Sequence, residues 1–301
     1  MIHKLQKLTR ALFNPNRELR LKIVTFQKII RRNYKDISRL GIMRKPKNPV
    51  TTKWGMVTRH QKPFGDGVNE ITAKQFDKAH TELIDRHIRE TFKGYWGGET
   101  DYSKFADNNW RNYYVFWSAK LAAKFAMTSQ TNLSNFVEVG VSFGMSFYYA
   151  ISGLTTGLRK DSNYAGYLYD SWGKMLPAHL SEREMHQVGN YWFTSLAQTQ
   201  INLEEYRENL HFVQGYVPEI FSEHLGPSEI SWLHIDLGAS VPTLRTLEHF
   251  VPKLLSHGVV LIDDYGNNHF KEIKVLADNF LNDVEGILLY LPTGQAIFIK
   301  H

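Results

Sequence analysis

Gly286-Ile287-Leu288-Leu289-Tyr290-Leu291-Pro292-Thr293-Gly294-Gln295-Ala296-Ile297-Phe298-Ile299-Lys300 places two apolar runs on either side of a four-residue break. Pro292-Thr293-Gly294-Gln295 is too short for a crossover between parallel strands, which needs a dozen or more residues, so the two runs are predicted to pair as an antiparallel hairpin. Upstream of it, short apolar runs alternate with helically spaced segments. Strands are predicted at 136–140, 164–170, 210–215, 232–237, 259–263, 286–291 and 296–300, and helices at about 145–158, 182–200, 217–224, 241–255 and 269–283. Such alternation predicts a mostly parallel sheet covered by helices on both faces.

The fold class is therefore α/β: a doubly wound, seven-stranded, mostly parallel sheet with an antiparallel terminal hairpin, preceded by a helical N-terminal region. A dinucleotide dehydrogenase of the same general build normally ends on a parallel strand, and the hairpin argues against it. Three regions are expected: a basic helical extension at 1–48, a helical lid or acceptor region at 49–130, and the sheet domain at 131–301.

The net charge of +6 conceals an asymmetry. Residues 1–48 hold 14 of the 36 Lys and Arg but only two acids, Glu18 and Asp36, so this segment carries +12 and the rest of the chain −6. Between Arg17 and Leu40, Leu19, Ile23, Phe26, Ile30, Tyr34 and Ile37 fall at helical spacing with basic residues on the other face. This basic amphipathic helix suits attachment to an anionic membrane surface or glycolipid, or service as an oligomer or lid helix with a solvated face. It lacks the aromatic-interleaved basic pattern of a nucleic-acid binder.

A Pro-, Lys- and Thr-rich linker follows over 44–62, then helical spacing over 73–92 and 110–127. Gly94-Tyr95-Trp96-Gly97-Gly98 reads as a mobile lid or a plain connection. The chain contains no cysteine and no stretch of about 20 apolar residues, and no apolar run follows its basic start. A cytoplasmic location is expected, at most peripheral to the inner membrane surface.

The residues that carry chemistry cluster at predicted strand ends, where open α/β sheets bind their ligands. Phe136-Val137-Glu138-Val139-Gly140-Val141-Ser142-Phe143-Gly144 brings an acid and two glycines to the turn where a strand meets a helix N-terminus. Tyr169-Asp170-Ser171-Trp172 adds a second acid where such folds grip ribose hydroxyls. A dinucleotide pyrophosphate would be repelled by Glu138, whereas S-adenosylmethionine carries no phosphate and is cationic at sulfur. The acid favours the sulfonium cofactor.

His234-Ile235-Asp236 and Ile262-Asp263-Asp264-Tyr265 place three carboxylates at one sheet edge. Oxygen-only ligation suits a hard divalent cation, Mg²⁺ first among them. The plainer alternative is that Asp263-Asp264 forms a turn or a helix cap.

With these motifs in view, the stretch 135–300 resembles the macrocin O-methyltransferase family. The likeness rests on Glu138-Val139-Gly140 with Gly144, Tyr169-Asp170-Ser171-Trp172, Val213-Gln214-Gly215-Tyr216-Val217-Pro218 and His234-Ile235-Asp236-Leu237. It continues through Pro242-Thr243-Leu244 with Leu247-Glu248, Gly258 to Tyr265, and Thr293-Gly294-Gln295-Ala296. The element order is that of class I, Rossmann-like methyltransferases.

The resemblance implies a metal-dependent transfer of methyl from S-adenosylmethionine to a hydroxyl of a sugar or glycoside. It also implies Mg²⁺ at Asp236, Asp263 and Asp264, and cofactor contacts at Glu138, Gly140, Gly144, Asp170 and Ser171; Ser142 and Gly215 are further expected cofactor contacts. Members usually show Asp-Val-Asp-Leu-Tyr after the fourth strand, whereas this chain has Asp236-Leu237-Gly238-Ala239-Ser240, so the second acid, a proposed base, is replaced by Gly238. His269 is the candidate catalytic base beside Asp236, with His234 or a hydroxide on the cation as other acceptors. A catechol-type O-methyltransferase and a non-catalytic binding protein on the same scaffold are the rival readings. A homo-oligomer is compatible with all of them.

Overall fold

The computed structural model describes residues 71–83, 109–127, 133–158 and 163–301. The basic segment over 17–40, the linker and the Gly94 to Gly98 turn lie outside them, as does the end of the helix expected over 73–92. Two helices, α1 (Ile71–Leu83) and α2 (Asn109–Ala126), precede the sheet domain. That domain runs β1 (Leu133–Val139), α3 (Met145–Gly157), β2 (Asn163–Asp170), α4 (Leu196–Asn202), β3 (Leu210–Gln214), α5 (Ile220–Glu223) and β4 (Ile230–Ile235). It ends with α6 (Ser240–Phe250), β5 (Leu254–Ile262), α7 (Lys271–Leu281), β6 (Gly286–Tyr290) and β7 (Ala296–Lys300).

All seven expected strands form one sheet in the order β3-β2-β1-β4-β5-β7-β6. β1 pairs in parallel with both β2 and β4, β4 with β5, and β2 with β3, while β7 runs antiparallel between β5 and β6. The order reverses between β1 and β4, and the crevice beyond the C-terminal ends of these two strands is the binding position of doubly wound sheets. β4 is buried along its whole length, Ile-Ser-Trp-Leu-His-Ile, as a central strand covered on both faces must be.

The sheet separates two apolar layers. On one face Phe136, Trp232 and Leu261 pack with α1, α2 and α3 through Phe76, Phe116, Phe147 and Ile151. On the other, Val139, Leu233 and Ile262 pack against Leu247 and Phe250 of α6 and Ile273 and Ala277 of α7. α2 lies close on α3: a Cβ at Gly153 would stand 2.1 Å from the Phe116 carbonyl oxygen, so only glycine permits this approach.

Three expected elements differ. The helix over 182–200 is instead a loop with 3₁₀ turns at Pro177–His179 and Glu182–Gln187, followed by the short α4. Left-handed backbone at Gly189 (φ 84°) and Tyr191 (φ 62°) breaks any continuous helix there. The helix over 217–224 shrinks to α5, and the one over 241–255 ends at Phe250, because a 3₁₀ turn containing Pro252 hands the chain to β5 from Leu254 onward.

Candidate active site

The β-ladders carry the acids to a common edge. The Asp236 amide donates to the Val139 carbonyl and the Asp263 amide to the Ile235 carbonyl, both at 2.9 Å, so β1, β4 and β5 terminate in register. Beyond them opens a cavity of about 790 Å³, within the range of small-molecule sites. Asp236, Asp263, Asp264 and His234 line one part of it; Gly140, Ser142, Asp170, Ser171 and Gly215 line another. Met175, His179, Leu180 and Tyr191 of the 171–195 loop add a further wall.

That loop is anchored by a buried carboxylate. Glu184 accepts hydrogen bonds from the Ser181 amide at 3.0 Å and from the Ser240 amide at 2.8 Å, tying the loop to the first turn of α6. The 3₁₀ turn is thereby fastened beside the β4–α6 turn that carries Asp236. Asp170 plays a parallel part in the turn after β1. One of its oxygens accepts from the Val141 and Ser142 amides, both at 2.7 Å, and the other from the Trp172 amide at 2.6 Å. Burial pushes this carboxyl above the ordinary Asp range against the lowering effect of those amides. The Trp172 indole N–H then donates to the Ser142 carbonyl at 2.9 Å, closing the turn.

Gly140 adopts φ 91°, and a Cβ there would meet the Asp236 carbonyl oxygen at 2.0 Å. The glycine therefore lets the β1 turn lie against the β4 turn, joining the two halves of the cavity. Gly144 (φ 85°) packs on Leu203, and Gly215 on Ile220; of the two, Gly215 lines the cavity. Glu138 is fully buried and faces His234, its register partner on β4, with Oε1 2.8 Å from Nδ1 of the imidazole. Its carboxylate is thus engaged within the sheet and does not line the cavity.

The acidic edge is strongly interacting. Asp236 is pushed up to about 6 by burial and by the charge of Asp264, and no hydrogen bond among the described residues reaches its carboxylate. Asp263 is held by the Gln295 side-chain amide at 2.7 Å and pairs with the guanidinium of Arg111 from α2, which also lies 3.9 Å from Asp264. Asp264 accepts from the Asn267 side-chain amide at 2.9 Å. Sequence reasoning missed Arg111 and Gln295. The macrocin-like Thr293-Gly294-Gln295 stretch marked the second, whereas Arg111 carries no local signal.

His269 is exposed and lines a separate depression with Arg183, Glu184 and Phe270, not the cavity of the three acids. Gly238 has φ 56° and lies 3.9 Å, measured from an added Cβ, from Asp264 Oδ2. An acid at this position would add a further negative charge beside Asp264.

Residues 137–265 match a family of methyltransferase domains. The chain carries a methyltransferase domain. The match runs from β1 to the turn after β5 and includes all three acids, Glu138 and His234. In fold the methyltransferase is similar to the O-methyltransferase NovP, with TM-score 0.56 and 15% identity over 76% of this chain and 99% of that one. The calicheamicin methyltransferase CalS11 gives TM-score 0.48 and 14% identity over 78% and 98% of the two chains. No curated protein matches by sequence. No helix among the described residues is long and apolar enough to cross a membrane.

Arg111 is expected to stabilise the protein by neutralising Asp263 and Asp264. Arg111→Met in chelator-treated protein should cost about 2 kcal/mol, because a largely buried carboxylate is left unpaired. Urea melts check this.

Proposed function

We propose that this methyltransferase moves the methyl group of S-adenosylmethionine to a hydroxyl of a sugar or glycoside, with a divalent cation held at the edge formed by Asp236, Asp263 and Asp264. The observation that carries the reading is the convergence of these acids in one cavity with the turns after β1 and β2. Charge balance supports the cation, since His234 and Arg111 only partly offset the effect of burial and of the Asp264 charge on the Asp236 carboxylate. When bound there, a divalent cation supplies a Lewis acid that lowers the pKa of a hydroxyl in contact with it.

The buried Ser142 Oγ, which has no hydrogen-bond partner among the described residues, and the cavity-lining Asp170, Ser171 and Gly215 suit the cofactor. Asp170 keeps the turn after β1 in place through three amides, and a carboxylate retains capacity to accept from ribose hydroxyls as well. Asp236 is the group we place against the reacting hydroxyl, where one of its carboxylate oxygens takes the hydroxyl proton. His269, on the surface, is the less suited acceptor. The sugar class rests on the macrocin-like motifs.

The test is mass spectrometry of sugars, nucleotide sugars and glycosides incubated with the full chain and methyl-labelled S-adenosylmethionine. Label on a sugar oxygen, lost with chelator and restored by divalent cation, is the expected result. Failure of S-adenosylmethionine to bind by calorimetry would overturn the cofactor. Label on a catechol alone would overturn the sugar class, and turnover unaffected by chelator would overturn the cation.

A further inference from the structure

We infer that His234 is a nitrogen ligand of the cation in this site, aimed by Glu138, so that the donor set is one imidazole with the carboxylates of Asp236 and Asp263 and the ion selected is a transition metal in preference to Mg²⁺. The inference rests on the reading above that a cation binds here.

His234 and Asp236 are two residues apart at the end of β4, and this spacing turns both side chains to one face of the sheet. The imidazole is fully buried and lines the cavity. Its Nδ1 lies 2.8 Å from Glu138 Oε1, and the same oxygen accepts from the Ser146 hydroxyl at 2.5 Å. A carboxylate at Nδ1 fixes the tautomer with hydrogen on that nitrogen, which leaves a lone pair on Nε2.

Nε2 has no hydrogen-bond partner among the described residues, although it is buried. It stands 4.0 Å from Asp263 Oδ1, too far for a hydrogen bond, and that oxygen already accepts from Gln295. One donor atom each from His234, Asp236 and Asp263 lies within 4.8 Å of the others, near enough for a single ion to draw together. Asp264 lines the same cavity, with its Oδ1 accepting from Asn267.

A carboxylate behind one ring nitrogen and an open lone pair on the other is the arrangement that orients metal-binding histidines and raises their basicity. An imidazole in the set changes the choice of ion. Mg²⁺ takes oxygen donors almost exclusively, whereas Mn²⁺, Fe²⁺, Co²⁺ and Zn²⁺ accept nitrogen.

Pulsed electron paramagnetic resonance of Mn²⁺ added to the untagged full chain tests this directly. The expected spectrum shows a ¹⁴N coupling that becomes a ¹⁵N coupling when histidine is ¹⁵N-labelled, and that disappears in His234→Gln. In competition, Mn²⁺ should bind about tenfold or more tightly than Mg²⁺, and Glu138→Gln, which keeps an acceptor at Nδ1 but removes its charge, should weaken Mn²⁺ binding by roughly tenfold. Bound Mn²⁺ without nitrogen coupling would overturn the histidine ligand and leave the cation site standing, as would a coupling that survives in His234→Gln. No Mn²⁺ binding at all would overturn both. If His234→Gln does not fold, the labelling result in the unmutated chain still separates an imidazole ligand from an all-oxygen site, and weakened Mn²⁺ binding in Glu138→Gln, whose carboxylate faces Nδ1 of His234, assigns it.

Discussion

Asp236→Asn is expected to lower methyl transfer by roughly 10² to 10⁴-fold, the usual worth of a positioned proton acceptor, while making the chelator-treated protein more stable near pH 7.5. Both effects come from the same carboxylate. Its pKa in the folded protein is pushed up to about 6 by burial, with the Asp264 charge adding to it, from an ordinary value of 3.8. Between those values the folded protein binds more protons than the unfolded chain, so stability falls as pH rises through this window and the deficit is complete above it.

A tenfold change in proton affinity corresponds to about 1.4 kcal/mol, which sets the deficit on the order of 2 to 3 kcal/mol. Asparagine does not titrate and avoids it. Urea melts of the two proteins in chelator should therefore differ by about 2 kcal/mol near pH 7.5 and converge toward pH 4. A difference independent of pH would show that the Asp236 carboxylate is not under this strain. With a saturating divalent cation the order should reverse, because only the carboxylate gains from the ion.

The strands and the terminal hairpin were legible because they depend on local signals: apolar runs of strand length, and a four-residue turn that allows one kind of pairing. The insertion of β7 between β5 and β6 is a matter of sheet order, which local patterning does not encode. The stretch 182–200 reads as a helix filling the gap between two strands, yet most of it is a loop with a 3₁₀ turn. What holds it in another shape is the bond from Glu184 to the Ser240 amide, 56 residues away.

The site divides the same way. The acids at the ends of β4 and β5 were visible because strand ends can be placed from sequence. Glu138 read as a cofactor ligand for the same reason, but its carboxylate faces His234, a neighbour created only when β1 pairs with β4. Arg111 reaches Asp263 across 152 residues, from a helix outside the family match. Electrostatic partners of this kind become apparent only after the chain has folded.

Gly140→Ala is the second large effect, and it tests whether the join between the two halves of the cavity is as tight as it looks. The new Cβ would lie 2.0 Å from the Asp236 carbonyl oxygen and 2.6 Å from its carbon, and the residue would have to hold φ 91°. Neither neighbour is a flexible side chain, so relief requires the β1 turn and the β4 turn to separate. A loss of about 3 to 5 kcal/mol is expected, measured by urea melts, together with a fall in kcat, because the backbone that must move carries Asp236. Gly144→Ala supplies the comparison. It imposes the same left-handed strain at φ 85°, but its Cβ would meet the end of the Leu203 side chain at 2.8 Å, which can turn aside. The two substitutions therefore share a conformational cost and differ in what they strike. If Gly140→Ala is no worse than Gly144→Ala, the strain alone accounts for both and the close approach to Asp236 does not organise the site.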